Sequence, residues 1–541
     1  MNMNVKQVDI IIVGAGFAGL YALYKLRLLS QHILVIESGA NLGGSWYWNC
    51  YPGARCDIES IDYSYSFSKE IEQEWSWTER FASQTEILDY LNFVAEKLDL
   101  RKNIIFNTKV VSAAYNEETK RWEVGLDNDQ FLTAGFCVMA TGCLSSSHIP
   151  ELPGSTLFKG DIYHTATWPH ETISFAEKRV GVIGTGSSGV QIIPEIAQDA
   201  AQLYVFQRTP AYTIPVNNET LSSDYISWVK KNYPEIRQKA KQHFFACGLD
   251  NDDLSMEDFL PADRISELER RWQTGGVVAF FSAFNDILIN NETNKFVSDF
   301  LAQKLKEIVH DPDIVEKLTP RSYPFGTKRA CNAIDYWTTF NKKNVSLVDI
   351  RKAPIKAITE TGLLTADGKT YELDTIVFAT GFDAFTGALR QIKIKGRNNT
   401  LLENKWKAGP RTYLGLMTSE MPNMFIITGP GSPSVLSMMI AAIEQHVDLI
   451  YDFIHYMQLN GITTVEPKED AEKAWMEHTN AIAEGTLFMQ AESSWYLGSN
   501  IAGKARTFYP YAGGMPAYRK ICDDVVRDNF NGFLFSKAIQ V

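Results

Sequence analysis

The chain is poor in cysteine, in long apolar runs and in positive charge. Seven cysteines are scattered over 541 residues, with no C-x-x-C pair among them. That argues against a disulfide framework or a cysteine-built zinc site, so no metal is expected, and it points to a reducing cytoplasm. No apolar stretch approaches the ~20 residues that span a bilayer, so no membrane partner is expected. The short apolar run Ile10–Val13 leads straight into glycines and reads as a buried strand, not a secretory leader. Lys and Arg total 52 against 64 Asp and Glu, a net charge of −12. Without a basic face there is little to neutralise phosphates, so nucleic acid is not an expected partner.

What is present is apolar and aromatic. The chain is 45% hydrophobic, with 12 Trp and 23 Tyr. Its length suits roughly two to four domains. Val8–Val13 is β-branched and apolar, as in a parallel strand buried on both faces. Gly14, Gly16 and Gly19 follow, then Leu20, Leu23, Leu26 and Leu29 at helical spacing. A second strand, Ile33–Ile36, ends at Glu37, 18 residues beyond Gly19. This is a whole βαβ nucleotide unit. The glycines let the backbone approach a pyrophosphate, the helix start offers N–H donors, and the acid suits ribose hydroxyls.

A second unit repeats the first. Strand Lys178–Ile183 leads into Gly184, Gly186 and Gly189, and a helix over 188–196 contains Pro194. The next strand, Leu203–Phe206, ends in Gln207-Arg208-Thr209. A carboxylate at this place suits a free 2′-hydroxyl, whereas Arg with a neighbouring Thr suits a 2′-phosphate. The first loop therefore reads as FAD-binding and the second as NADP(H)-binding. The alternative for Arg208 is a solvated surface charge.

Other segments fill in the organisation. A helix is expected over 83–98, a strand over 104–111 and a hairpin around 124–131. Return strands are expected at Phe136–Gly142 and Asp374–Phe382. From 216 to 323 strand signals vanish. Phe296, Val297, Phe300, Leu301, Leu305, Ile308 and Val309 share one helical face. This reads as a helical insertion in the second nucleotide domain, a lid or wall of a substrate cavity. Ser437–Ile443 starts a helix whose N-terminus can stabilise negative charge on a flavin.

Three motifs carry a resemblance. Between the glycine loops lies F-x-G-x-x-x-H-x-x-x-W-P, with Phe158, Gly160, His164, Trp168 and Pro169. Gly43 to Asp57 reads G-G-x-W-x-x-x-x-Y-P-G-x-x-x-D, and Phe325 to Arg329 reads F-G-T-K-R. By themselves Asp57 could be a turn or N-cap residue and Lys328-Arg329 a basic surface loop. Together the motifs resemble the flavin-dependent Baeyer–Villiger monooxygenases, of the phenylacetone and cyclohexanone monooxygenase type, over nearly the whole chain.

The resemblance implies an α/β fold of two Rossmann-like dinucleotide-binding domains with an inserted helical subdomain. Residues 1–146 and 384–541 would form the FAD domain, 147–215 and 324–383 the NADP domain, and 216–323 the insertion. It implies FAD held by Gly14, Gly16, Phe17, Ala18, Gly19, Glu37, Ser45, Trp46, Tyr47, Trp48, Asp57, Tyr63, Val110 and Met439. NADP would be held by Thr185, Gly186, Ser187, Ser188, Gly189, Gln191, Arg208, Thr209, Lys328, Arg329 and Trp495. Arg329, propped by Asp57, would be catalytic, and the His164–Trp168 stretch would couple domain movement to turnover. The implied reaction uses NADPH, O₂ and a ketone to give an ester or lactone through a C4a-peroxyflavin. Separately, a monomer is expected, with an oligomer as the open alternative. An N- or S-hydroxylating flavin monooxygenase is the alternative.

Overall fold

Two sheets carry the molecule, and each grows from one glycine-loop unit. The computed structural model describes residues 6–248 and 254–537. Residues 249–253 of the expected insertion thus lie outside the described ones.

In the first sheet, strand Lys6–Val13 sits between Ile33–Ile36 and Phe131–Met139, parallel to both. Ile10, Ile11 and Ile12 are almost wholly buried, each contributing roughly 1.5–3 kcal/mol of burial. The sheet continues through Arg121–Leu126 and Val110–Asn116 to Lys393–Lys395, and Met424–Ile426 pairs with Phe131–Met139. Two of its eight strands, Lys393–Lys395 and Met424–Ile426, thus come from more than 250 residues beyond the other six. The second sheet has five parallel strands in the order Val345–Asp349, Gln202–Gln207, Arg179–Ile183, Thr375–Phe378, Asp161–His164.

The two glycine turns are near copies. Gly14 and Gly184 adopt φ of 105° and 110°, and their N–H groups donate to the carbonyls of Ile36 and Phe206 at 2.9 and 3.0 Å. A Cβ on Gly19 would stand 1.8 Å from the Gly14 carbonyl oxygen, and one on Gly189 would stand 2.3 Å from that of Gly184. The third glycine in each loop is therefore required for helix to pack on strand, as the βαβ spacing implies.

The helix at 83–98 forms as Gln84–Lys97, with the Ser83 hydroxyl accepting from the Glu86 N–H. The expected strand over 104–111 does not run through. Ile104–Ile105 and Val110–Asn116 are separate strands. Asn107 takes a left-handed φ of 51°, and the N–H groups of Asn107 and Thr108 donate to the carbonyls of Gly39 and Glu37. The chain turns there to cover the Glu37 corner. The first glycine-loop helix ends at Leu26, before the expected Leu29, and Leu28 is exposed. The second, Ser187–Asp199, continues through Pro194 without a break.

The insertion is helical, with Ser223–Gln242, Pro261–Thr274, Val277–Phe281, Asn291–Ile308 and Pro312–Leu318. Val297, Phe300, Leu301 and Leu305 form the buried face of Asn291–Ile308. Its attachment is broader than an appendage of the second nucleotide domain. Val229 and Tyr233 of Ser223–Gln242 join the core of the first sheet, and Arg237 pairs with Glu72 at 2.9 Å. Among the described residues no helix is long and apolar enough to cross a membrane.

Candidate active site

A cavity of about 1240 Å³ opens at the carboxyl ends of both sheets and is lined by residues of both glycine loops. Drug-sized pockets run ~300–1,000 Å³, so this one has room for more than a single small molecule. Nucleotides bind at this end of open α/β sheets.

Helix Phe17–Leu26 starts from Gly16 at φ −81°, ψ −167°, and helix Ser187–Asp199 from Gly186 at φ −80°, ψ −167°. Neither start has a side-chain cap. Two helix N-termini thus present backbone N–H groups into one cavity, each suited to a pyrophosphate. A Cβ on Gly16 would press on Gly44 at 3.4 Å, whereas Gly186 faces open space. Gly14, Phe17, Ala18, Ser45, Trp46, Trp48, Tyr63, Val110 and Met439 line the cavity on the first side. Thr185, Ser187, Ser188, Gln191, Thr209 and Trp495 line it on the second.

Three expected contacts stand outside the lining. Gly19 and Gly189 face their own strands, as the packing above requires. Tyr47 turns away from the cavity, its ring 4.5 Å from that of His170.

Glu37 is buried, and its two carboxylate oxygens accept the N–H groups of Ala15 and Gly39, both at 2.7 Å. An ionised carboxylate has about four acceptor sites, so capacity remains for ribose hydroxyls. At the equivalent corner of the second unit Arg208 lines the cavity and is otherwise exposed. Lys328 lies over the Tyr323 ring at 4.6 Å. Burial, then the nearby Arg208 charge, pushes the Lys328 ammonium down to about 8. The Arg208 charge disfavours the Lys328 ammonium, with Glu492 only a smaller counterweight, so the corner is one that a phosphate dianion would satisfy.

Asp57 and Arg329, 272 residues apart, meet at the cavity wall. Asp57 Oδ2 accepts from Arg329 Nε at 3.1 Å and Nη2 at 2.9 Å. Asp57 is buried, while the Arg329 side chain keeps 32% exposure, which faces the cavity it lines. Burial works against the Arg329 charge. The Asp57 carboxylate outweighs it, so the guanidinium holds its proton more tightly than usual.

Asn332 completes this corner. Its N–H donates to Asp57 Oδ1 at 3.2 Å, its side-chain amide donates to the Asp57 carbonyl at 3.0 Å, and its side-chain oxygen accepts from Val277 N–H at 2.8 Å. Sequence reasoning missed it, because Asn three residues after Arg329 carries no distinctive signal. It also missed the contact that explains Tyr51-Pro52-Gly53. The Tyr51 hydroxyl donates to Gln191 Oε1 at 2.7 Å. A Cβ on Gly53 would stand 2.5 Å from the Gln191 carbonyl oxygen. The loop that delivers Asp57 therefore rests on the second glycine-loop helix, and a Pro-Gly turn is the one local sign of it.

The His164 stretch takes a different place. Asp161–His164 is an edge strand of the second sheet, with His164 opposite Phe378. His164 Nδ1 accepts the Ala166 N–H at 3.0 Å, so the assigned proton sits on Nε2, 3.2 Å from Thr380 Oγ1. Burial lowers the His164 pKa, which favours the neutral ring. The Thr380 hydroxyl donates to the His148 carbonyl. Phe158 packs under the second sheet and Trp168 is buried against its helix layer. Of residues 158–169 only Ala166 lines the cavity.

Relatives match this chain over nearly their whole length. Residues 6–226 match the family model described as flavin-binding monooxygenase-like. A 2-oxo-Δ³-4,5,5-trimethylcyclopentenylacetyl-CoA monooxygenase of Pseudomonas putida is 41% identical over 97% of this chain and 98% of its own. A Baeyer–Villiger monooxygenase of Pseudooceanicola batsensis is 39% identical over 98% and 97%. This chain belongs to the Baeyer–Villiger monooxygenase family. A crystal structure of OTEMO in complex with FAD and NADP superposes with a TM-score of 0.94 at 40% identity, covering 98% of this chain and 99% of that one. Within the family's neighbourhood chemistry varies: a phenazine N-monooxygenase of Lysobacter antibioticus is 38% identical over 97% and 96%.

Proposed function

We propose that this chain inserts one oxygen atom of O₂ beside a ketone carbonyl, giving an ester or lactone, with FAD at the first glycine loop and NADPH at the second. The observation that carries the reading is the Arg329–Asp57 pair at a cavity wall between two uncapped helix starts. Bound FAD and NADPH would supply the reducing electrons and the activation of O₂. The protein's part is charge and enclosure.

Arg329 presents a fixed cation where negative charge develops on the carbonyl oxygen as the carbonyl carbon becomes tetrahedral. A preorganised donor of this kind contributes roughly 10²–10³ in rate. Asp57 holds the guanidinium plane, and the first turn of Met439–Asn460, which contains no acidic residue, adds a favourable field. Trp495 and the surrounding loop exclude water from the cavity. His164 and Trp168 act at a distance from the substrate.

A panel of linear, cyclic and aryl ketones with NADPH, read by gas chromatography, tests the proposal. An amine and a sulfide run beside them test N- and S-oxygenation, which the phenazine N-monooxygenase keeps in view. Turnover of the amine with no ester from any ketone would reverse the order of the two readings.

Two outcomes follow for the coenzyme. Arg208→Ala lowers the NADPH-to-NADH ratio of kcat/KM by about 10–100-fold, the usual weight of a charge-assisted phosphate contact. An unchanged ratio removes Arg208 from the phosphate site. Lys328 is cationic below about pH 8 and neutral above it. The kcat/KM for NADPH, which reports the free enzyme, therefore falls as pH rises through about 8. That for NADH, lacking the 2′-phosphate, stays flat there, and Lys328→Gln abolishes the difference.

A further inference from the structure

The two crossings between the sheets are bound to each other. Residues 143–148 leave the first sheet and 381–385 return from the second. They run antiparallel, with His148 N–H to the Gly381 carbonyl at 2.9 Å, Asp383 N–H to Ser146 at 2.9 Å and Phe385 N–H to Cys143 at 2.8 Å. Any change in the angle between the sheets must pass through this ribbon.

The segment 493–507 grips the same ribbon. It contains little regular structure beyond the short turn Trp495–Leu497, so side-chain anchors set its position. Ser494 Oγ donates to the Thr327 carbonyl at 3.1 Å, next to Lys328 and Arg329. Asn500 Nδ2 donates to the Phe382 carbonyl at 3.1 Å. The Trp495 ring lies 5.7 Å from that of Phe385. Lys504 Nζ donates to the Asp383 carboxylate and to the Ala384 carbonyl, the latter at 2.6 Å, and lies 4.8 Å from the Tyr509 ring centroid. The Lys504 side chain is 3% exposed and that of Asp383 20%. A lysine so buried is rare unless paired. Such a pair adds little net stability but penalises every arrangement that separates it.

We propose that Lys504 is a positioning residue whose ion pair with Asp383 couples closure of the Trp495 loop over the cavity to the setting of the interdomain ribbon. The loop then seals the cavity in one arrangement of the two sheets and is released when the ribbon moves. This rests on the monooxygenase reading for its consequence, since an open loop admits water to the oxygen-activating site.

The test compares K504M, D383N, the double variant and K504R, each as FAD-loaded full-length protein. Hydrogen exchange of 493–507 and of 381–385 is followed with and without NADP⁺. Ester and H₂O₂ formed per NADPH consumed are measured alongside. Coupling predicts about tenfold faster exchange in both segments for K504M and D383N, and a several-fold larger H₂O₂ share with anaerobic flavin reduction unchanged. The double variant is no worse than either single one, and K504R restores most of the effect because it keeps the charge. Should K504M loosen 493–507 and leave 381–385 untouched, or should its electrons remain as coupled as in wild type, the proposal falls. Absence of ester from the wild type sinks the functional reading instead and leaves the exchange comparison standing.

Discussion

Arg329→Ala loses about 10²–10³ in the rate of ester formation, while NADPH reduces the bound flavin as fast as before. The division follows from where the guanidinium stands. It is anchored on one side by Asp57 and exposed on the other to the cavity. Its charge is needed when oxygen becomes anionic, and hydride delivery to the flavin does not create that anion. The loss therefore falls on the oxygenating half of the cycle. Anaerobic stopped-flow reduction and aerobic product analysis separate the two halves. A variant that oxygenates ketones at near wild-type rate would remove Arg329 from the chemistry. Arg329→Lys recovers only part of the loss, because a single ammonium cannot make both contacts to Asp57 Oδ2 and still face the cavity.

The glycine turns were the most legible part of the chain. Their chemistry is local, a tight turn, a close backbone approach and a helix start within six residues, so spacing alone carries it. The contrast of Glu37 with Arg208 was readable for the same reason. The meeting of Asp57 with Arg329 was not readable from spacing, since nothing local links positions so far apart; the family resemblance supplied it. Asn332, Gln191 against Gly53, and Lys504 against Asp383 depend on how separate segments dock, and their residue types are common in any surface loop. Tyr47 shows the converse error. An aromatic cluster, Trp46-Tyr47-Trp48, invites all three rings into the site, but consecutive residues of a helical turn diverge by ~100°. Tyr47 packs at a tilt against the His170 ring instead. The failed strand over 104–111 has a similar cause: Ile104 and Val110 do lie in strands, but residues 106–109 between them leave the sheet, where the N–H groups of Asn107 and Thr108 donate to the carbonyls of Gly39 and Glu37.

Asp57→Asn is the sharper test of the corner as a unit. The amide keeps the side-chain shape and an oxygen for the Asn332 N–H, but it removes the charge opposite Arg329. It also turns N–H donors toward a guanidinium that has only donors to offer. Breaking a fully buried pair from one side costs roughly 3 kcal/mol or more; here, with Arg329 32% exposed, the loss is smaller, read as a lower midpoint in urea with an unchanged slope. Activity falls by about 10–100-fold, less than for Arg329→Ala, because the cation is still present but no longer held. The double variant Asp57→Asn/Arg329→Ala is then no slower than Arg329→Ala alone, since the carboxylate acts through the arginine. It is also more stable than Asp57→Asn, having lost the half-buried cation left without its carboxylate. If the two losses multiply instead, Asp57 has a task of its own at the cavity, and the picture of one cation held by one carboxylate is wrong.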